Sequence, residues 1–137
     1  MMSTLLDFSA GVATGAGGDT LSGGQIVDAV TSGTPLLTKA NPGASCKLPF
    51  ANRGNIGYRI LPNENCALSV SGGNVSELQI MRVLIQQPYG GNCEITWPDN
   101  VIWPEGAAFV DSRIGAVCCV EIMWDGASRY YGRLIFG

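Results

Sequence analysis

The stretch Ala116-Val117-Cys118-Cys119-Val120-Glu121-Ile122-Met123-Trp124-Asp125-Gly126-Ala127-Ser128-Arg129-Tyr130-Tyr131-Gly132-Arg133-Leu134-Ile135-Phe136 decides the fold class. Two runs rich in β-branched and aromatic residues flank an Asp-Gly pair that accepts the left-handed backbone of a tight turn. The pattern predicts a hairpin, with strands over 116–124 and 129–136 and a turn over 125–128. In the first strand Cys118, Val120, Ile122 and Trp124 share one face, and Val117, Cys119, Glu121 and Met123 share the other. Both faces are largely apolar. A sheet of that kind packs on a second sheet and is covered on its outer side by a partner or by another part of the chain.

Upstream, Cys93-Glu94-Ile95-Thr96-Trp97-Pro98-Asp99-Asn100-Val101-Ile102-Trp103-Pro104-Glu105-Gly106 sets two Trp-Pro-acid triplets six residues apart. Proline fixes its own φ, offers no backbone donor and drives the preceding residue toward extended geometry, so each tryptophan is held at a strand end or bend. The expected result is a stiff aromatic corner. Further upstream, 55–61, 66–70 and 92–97 read as strands, separated by the turn clusters Pro62-Asn63-Glu64-Asn65, Ser71-Gly72-Gly73-Asn74 and Pro88-Tyr89-Gly90-Gly91. Residues 75–87 also fit a helical period through Leu78, Met81, Leu84 and Ile85, but the flanking glycine turns favour a strand. That strand would place Glu77, Gln79, Met81, Val83 and Ile85 on one face. Several short strands at regular spacing predict an all-β fold, an antiparallel β-sandwich or jelly-roll-like domain over 46–137.

Residues 1–45 have a different texture. Gly11, Gly15, Gly17, Gly18, Gly23, Gly24 and Gly33 punctuate small and polar residues, and the only charges are Asp7, Asp19, Asp28 and Lys39. Such a segment forms little core by itself and predicts an extended N-terminal arm ordered against a neighbour, with a short helical turn over 25–30 starting near Ser22 or Gly23. The glycines do not make a phosphate loop, because no Gly-Lys-Ser/Thr and no Gly-x-Gly-x-x-Gly opens a helix.

The 137 residues make one domain, apart from the arm. Charged residues are 14% and apolar ones 46%, with a mean hydropathy of +0.20; soluble surfaces usually carry roughly 25–35% charged residues, so other subunits are expected to cover part of this one. No apolar run approaches the roughly 20 residues that span a bilayer, and no membrane insertion is expected. The start Met1-Met2-Ser3-Thr4-Leu5-Leu6-Asp7-Phe8 lacks a basic region and is interrupted at Asp7, which argues against a secretory leader. With a net charge of −3 and eight scattered basic residues, the chain has no stripe for phosphate neutralisation, and nucleic acid is not an expected partner.

Cys46, Cys66, Cys93, Cys118 and Cys119 are an odd set that cannot all pair within one chain. Buried reduced thiols and disulfides, intramolecular or between subunits, both fit. Cys118 and Cys119 point to opposite faces of one strand, so one enters the core and the other faces a neighbour or solvent; an intersubunit bridge would use one of these two. Without histidine or a Cys-x₂-Cys pair no zinc site is expected. The same lack of histidine leaves serine and cysteine nucleophiles without their usual base. Glu94, Asp99, Glu105, Asp111, Glu121 and Asp125 show no spacing that selects a glycosidase pair, and Asp99, Asn100 and Glu105 lack the spacing of a calcium loop. The expectation is a protein with no catalytic residues, no metal and no cofactor.

Ile95-Thr96-Trp97-Pro98, Val101, Trp103-Pro104-Glu105-Gly106, Trp124-Asp125-Gly126 and Tyr130-Tyr131-Gly132 together resemble a β-structured module of tailed-bacteriophage virion proteins, over about the last half of the chain from Cys66 onward. This sequence departs from the pattern at Glu105, which intervenes before Gly106, at Ala107-Ala108-Phe109 and at Tyr130. The resemblance implies a structural protein of a phage virion, assembled in the host cytoplasm. It would be a decoration, cement or fibre-type subunit that binds capsid or tail proteins through its arm and apolar faces. It also implies a homo-oligomer, with a trimer favoured by analogy with fibres and decoration proteins. An alternative role follows from the aromatic residues. Trp97, Trp103, Tyr89, Tyr130 and Tyr131 would form an exposed platform for a host surface glycan, with Asp99, Asn100 and Glu105 binding hydroxyls.

Overall fold

The computed structural model describes residues 33–137 and, ahead of them, the backbone of two short paired strands, β1 (Ser9–Ala10) and β2 (Val12–Ala13). The helical turn expected at 25–30 and most of the arm lie outside the described residues. Thr34–Gly137 is a compact unit in which every regular element is a strand. These are β3 (Leu36–Ala40), β4 (Ser45–Pro49), β5 (Ile56–Leu61), β6 (Cys66–Ser71), β7 (Gln79–Gln86), β8 (Ile95–Thr96), β9 (Val101–Ile102), β10 (Val117–Trp124) and β11 (Tyr130–Phe136). Leu36–Ala40 and Ser45–Pro49, read from the sequence as the end of the arm and its junction, are strands of the two sheets.

The strands form a six-stranded sheet in the order β3-β5-β7-β10-β11-β9 and a three-stranded sheet in the order β4-β6-β8. From β3 to β8 the chain alternates between the sheets, one strand in each. Neighbours within a sheet are therefore successive passes and run parallel: β3 with β5, β5 with β7, β4 with β6 and β6 with β8. Only β10 runs against its neighbours β7 and β11. The fold is all-β as expected, but the sheets are mixed, which corrects the antiparallel pairing expected throughout. The physical reason lies in the connections. Residues 41–44 and 62–65 are short enough to close hairpins, but they arch the chain from one sheet to the other. Asn41 takes a left-handed φ of 51° at the first arch, a conformation asparagine tolerates better than most residues. The arches stack: the Asn41 N–H donates to Leu61 O, and the Gly43 N–H to Asn63 Oδ1, both at 3.0 Å.

Period-two alternation fills the space between the sheets. Cys46 and Leu48 of β4 and Cys66, Leu68 and Val70 of β6 face Ile56, Tyr58 and Ile60 of β5 and Met81, Val83 and Ile85 of β7, in one core with Cys118, Val120, Ile122 and Trp124 of β10. Residues 75–87 thus contain a strand, with Gln79, Met81, Val83 and Ile85 inward as the alternation predicts. Two buried amides tie down the loops. Gln79 donates through Nε2 to Ala51 O and Gly54 O and accepts the Asn74 N–H at Oε1. Gln87 donates to Cys93 O and accepts the Cys93 N–H, closing the loop between β7 and β8.

The C-terminal hairpin forms with Trp124 opposite Tyr130. Asp125 builds its turn, one carboxylate oxygen accepting the N–H groups of Ala127, Ser128 and Arg129. Those three donors hold the Asp125 carboxyl below the usual aspartate range.

Candidate functional site

Residues 94–108 form a shelf along one edge of the sheets. β8 is the last strand of the small sheet, Trp97-Pro98 carries the chain away from it, and β9 joins the edge of the large sheet beside β11. The two Trp-Pro steps sit at turns. Val101 N–H reaches Pro98 O at 3.4 Å, and Gly106 N–H reaches Trp103 O at 3.0 Å. In the second turn Pro104 fills the position where its fixed φ is favoured, and Gly106 adopts a φ of 92°. The Asn100 amide ties the first turn to β6 by donating to Val70 O at 3.0 Å.

The tryptophans meet, with ring centroids 5.2 Å apart and planes at 59°. Trp97 donates through Nε1 to Ala108 O at 2.9 Å, so its polar atom is engaged within the chain. Trp103 lies on Gly132 of β11, where an added Cβ would fall 2.6 Å from the ring. Both rings are half-buried and pack against the core. Glu94, Thr96, Trp97, Asp99, Trp103 and Ala107 line an open groove of about 530 Å³ over this shelf. Phe109 stands exposed beside it, at 74%.

The other three aromatic candidates lie in different places. Tyr130 stacks on Phe50 with centroids 5.6 Å apart and tilts against Trp124 at 5.1 Å, while its hydroxyl donates to Gly72 O. Tyr131 lines a separate cleft of about 180 Å³ with Pro104, Glu105, Met123 and Arg133, below the ~300 Å³ typical of small-molecule sites. Tyr89 is 94% exposed and touches no other ring among the described residues. Phe50, Phe109 and Gly132 have places around these rings that the sequence does not assign to them. A glycine inside a strand was the readable signal for the last, since it marks a close approach.

The chain matches no protein-family model, no curated protein and no solved structure.

Among the carboxylates, Asp111 pairs with Arg113, Glu121 with Arg82 and Arg133, and Asp125 caps its turn. Glu94, Asp99 and Glu105 make no ion pair among the described residues. No group of three or more Cys, Asp or Glu side chains able to hold a metal ion occurs among the described residues, and no helix there is long and apolar enough to cross a membrane.

All five cysteines are free thiols and buried. Cys118 and Cys119 do point to opposite faces, yet Cys119, on the outer face, is covered as well, at 6% exposure beside Leu84 and Phe136. Burial pushes the Cys118 thiol up to about 11, with the neighbouring Cys119 and Asp111 adding to the effect. Burial also raises Cys46, Cys66 and Cys119. A thiol whose value rises on folding contributes stability that is fully present below its unfolded value and is lost as pH climbs through the folded one. Chemical denaturation at increasing pH should therefore show stability falling above pH 9 toward about 11. Cys118→Ala should flatten part of that slope, and an unchanged slope would show that Cys118 is not the group responsible. Below pH 9 the native chain should react with a thiol reagent far more slowly than the unfolded chain.

Proposed function

We propose that this protein is a noncatalytic structural subunit of a tailed-phage virion, a small decoration, cement or fibre-type component bound to capsid or tail proteins. One observation carries the reading. The aromatic residues of the phage-module resemblance are used as packing braces in two places: Trp97 on Trp103 with Trp103 on Gly132, and Trp124 on Tyr130 across the Asp125-Gly126 turn. These side chains brace a sheet edge, and the acids nearest them serve ion pairs and turns or stand free at the rim. Exposed Leu36, Leu37, Val117, Leu134, Ile135 and Phe136 supply apolar surface for neighbouring subunits. The arm is proposed to add a further attachment, and the virion, assembled in the host cytoplasm, is the proposed location. The partners are other virion proteins, with neither nucleic acid nor membrane insertion involved.

Quantitative mass spectrometry and electron cryo-microscopy of purified particles test this. Many copies over the capsid lattice indicate decoration or cementing, and a few at the tail or neck indicate a fibre. Absence from the particle overturns the reading.

The groove over the shelf gives the glycan alternative a narrower form. It would use the Trp97 edge with Glu94 and Asp99, without Tyr89 or Tyr130. Titration with host surface polysaccharide while following tryptophan fluorescence checks it, and an unchanged spectrum at saturating sugar removes it.

A further inference from the structure

The six-stranded sheet turns one face to the core and the other outward. Strand register places Leu36, Gly57, Arg82, Glu121 and Arg133 in one outward row, and Thr38, Arg59, Leu84, Cys119 and Phe136 in the next. Val117 extends the apolar part of this face, and Leu36, Val117 and Phe136 are 49%, 42% and 51% exposed. Three arginines against Glu121, with Glu105 at the rim beside Arg133, leave the face one charge positive, in a chain whose net charge is −3. Arg82 and Arg133 share Glu121, whereas Arg59 has no ion-pair partner among the described residues.

The Trp-Pro shelf has the opposite character. Glu94 and Asp99 are exposed, have no ion-pair partner among the described residues and line the groove with half-buried Trp97, while exposed Phe109 shares a neighbouring depression with Glu94. We propose that the outward face of the six-stranded sheet docks the Trp-Pro shelf of a second copy of this chain. Charge selects the pairing. Face against face would bring Arg59 toward a surface of its own sign, and shelf against shelf would do the same with Glu94 and Asp99. Face against shelf sets unpaired cation against unpaired anions and covers apolar area on both sides. The contact joins two different patches, so copies associate head to tail, closing into a ring if the rotation closes and growing as a filament if it does not. A closed ring of three copies is one such product.

The contact belongs to the chain alone, so its failure would leave the virion reading standing, and particle localisation is a separate measurement. Sedimentation velocity of the purified full chain tests it. The expected result is a concentration-dependent higher-mass species that weakens as salt rises. Arg59→Glu, and separately the double variant Glu94→Lys with Asp99→Lys, should each lose that species at concentrations where the native chain forms it. Mixing the two variants should restore it, because each reversed patch then meets its complement. Circular dichroism verifies the fold of each variant. If a reversal misfolds, Arg59→Ala replaces it, with an expected roughly tenfold weaker self-association. A native chain that stays monomeric throughout overturns the proposal, as do variants that assemble like the native chain. Variants that dissociate alone and stay apart when mixed overturn the pairing of these two surfaces.

Discussion

Gln79→Leu should lower the unfolding free energy by about 3 kcal/mol, since three partly buried backbone groups lose their partner at roughly 1 kcal/mol each, the low end of the range for an unsatisfied group. Gln79 is fully buried. Its amide gives two hydrogen bonds, to Ala51 O at 2.9 Å and Gly54 O at 2.7 Å, and receives one from Asn74 N at 2.7 Å. One side chain thus serves both the connection from β4 to β5 and the connection from β6 to β7. Leucine fills most of the volume but satisfies none of the three groups. Urea denaturation followed by circular dichroism measures the loss. A change below about 1 kcal/mol would mean that water replaces the amide at little cost.

Gly132→Ala comes next in expected effect, at about 2–3 kcal/mol, the upper part of the range for overpacking a filled site. The new methyl would sit 2.6 Å from Cζ3 of Trp103 and 2.8 Å from two further ring atoms. The indole is a rigid group wedged against Trp97, so it cannot yield by a small rotation. Displacing it opens the shelf, and tryptophan emission should move to longer wavelength along with the loss of stability. Trp103→Ala in the same chain provides a control. The double variant should be less destabilised than the sum of the two single ones, because removing the ring removes the clash. Full additivity would show that the glycine is needed for some other reason.

Local patterns carried much of the fold. The alternation of Cys118, Val120, Ile122 and Trp124 identified a core-facing strand, and Asp125-Gly126 identified the C-terminal hairpin. Parallel pairing was not legible. A four-residue connection such as Pro62-Asn63-Glu64-Asn65 has the same composition whether it folds a hairpin or arches between sheets. The difference lies in partners distant in sequence, as when Gly57 pairs with Leu36 on one side and Arg82 on the other. At the candidate site, the prolines announced the two turns, and the tryptophans were expected in one corner. The grouping of Tyr130 with Phe50 was hidden for the same reason as the amide of Gln79: these contacts join elements that no local spacing connects. The outward face of the large sheet was anticipated as apolar, but its positive charge emerges only when Arg59, Arg82 and Arg133 are brought onto it by register.

The alternating course of β3 to β8 also makes the length of this protein adjustable. Each pass bonds to the pass before and the pass after, with Leu36 opposite Gly57 and Gly57 opposite Arg82. Residues 56–78 are therefore close to a self-contained increment, beginning at one sheet and ending where the next pass returns to it. This last increment also anchors the C-terminal edge, since Val70 O receives the Asn100 amide, Gly72 O the Tyr130 hydroxyl and Asn74 O the Trp124 indole N–H, so a further pass would have to enter ahead of it, as in repeat architectures whose neighbours interact only pairwise. The reach of the molecule would then grow by whole passes on its N-terminal side, with the Trp97–Trp103 pair and the C-terminal hairpin kept as they are.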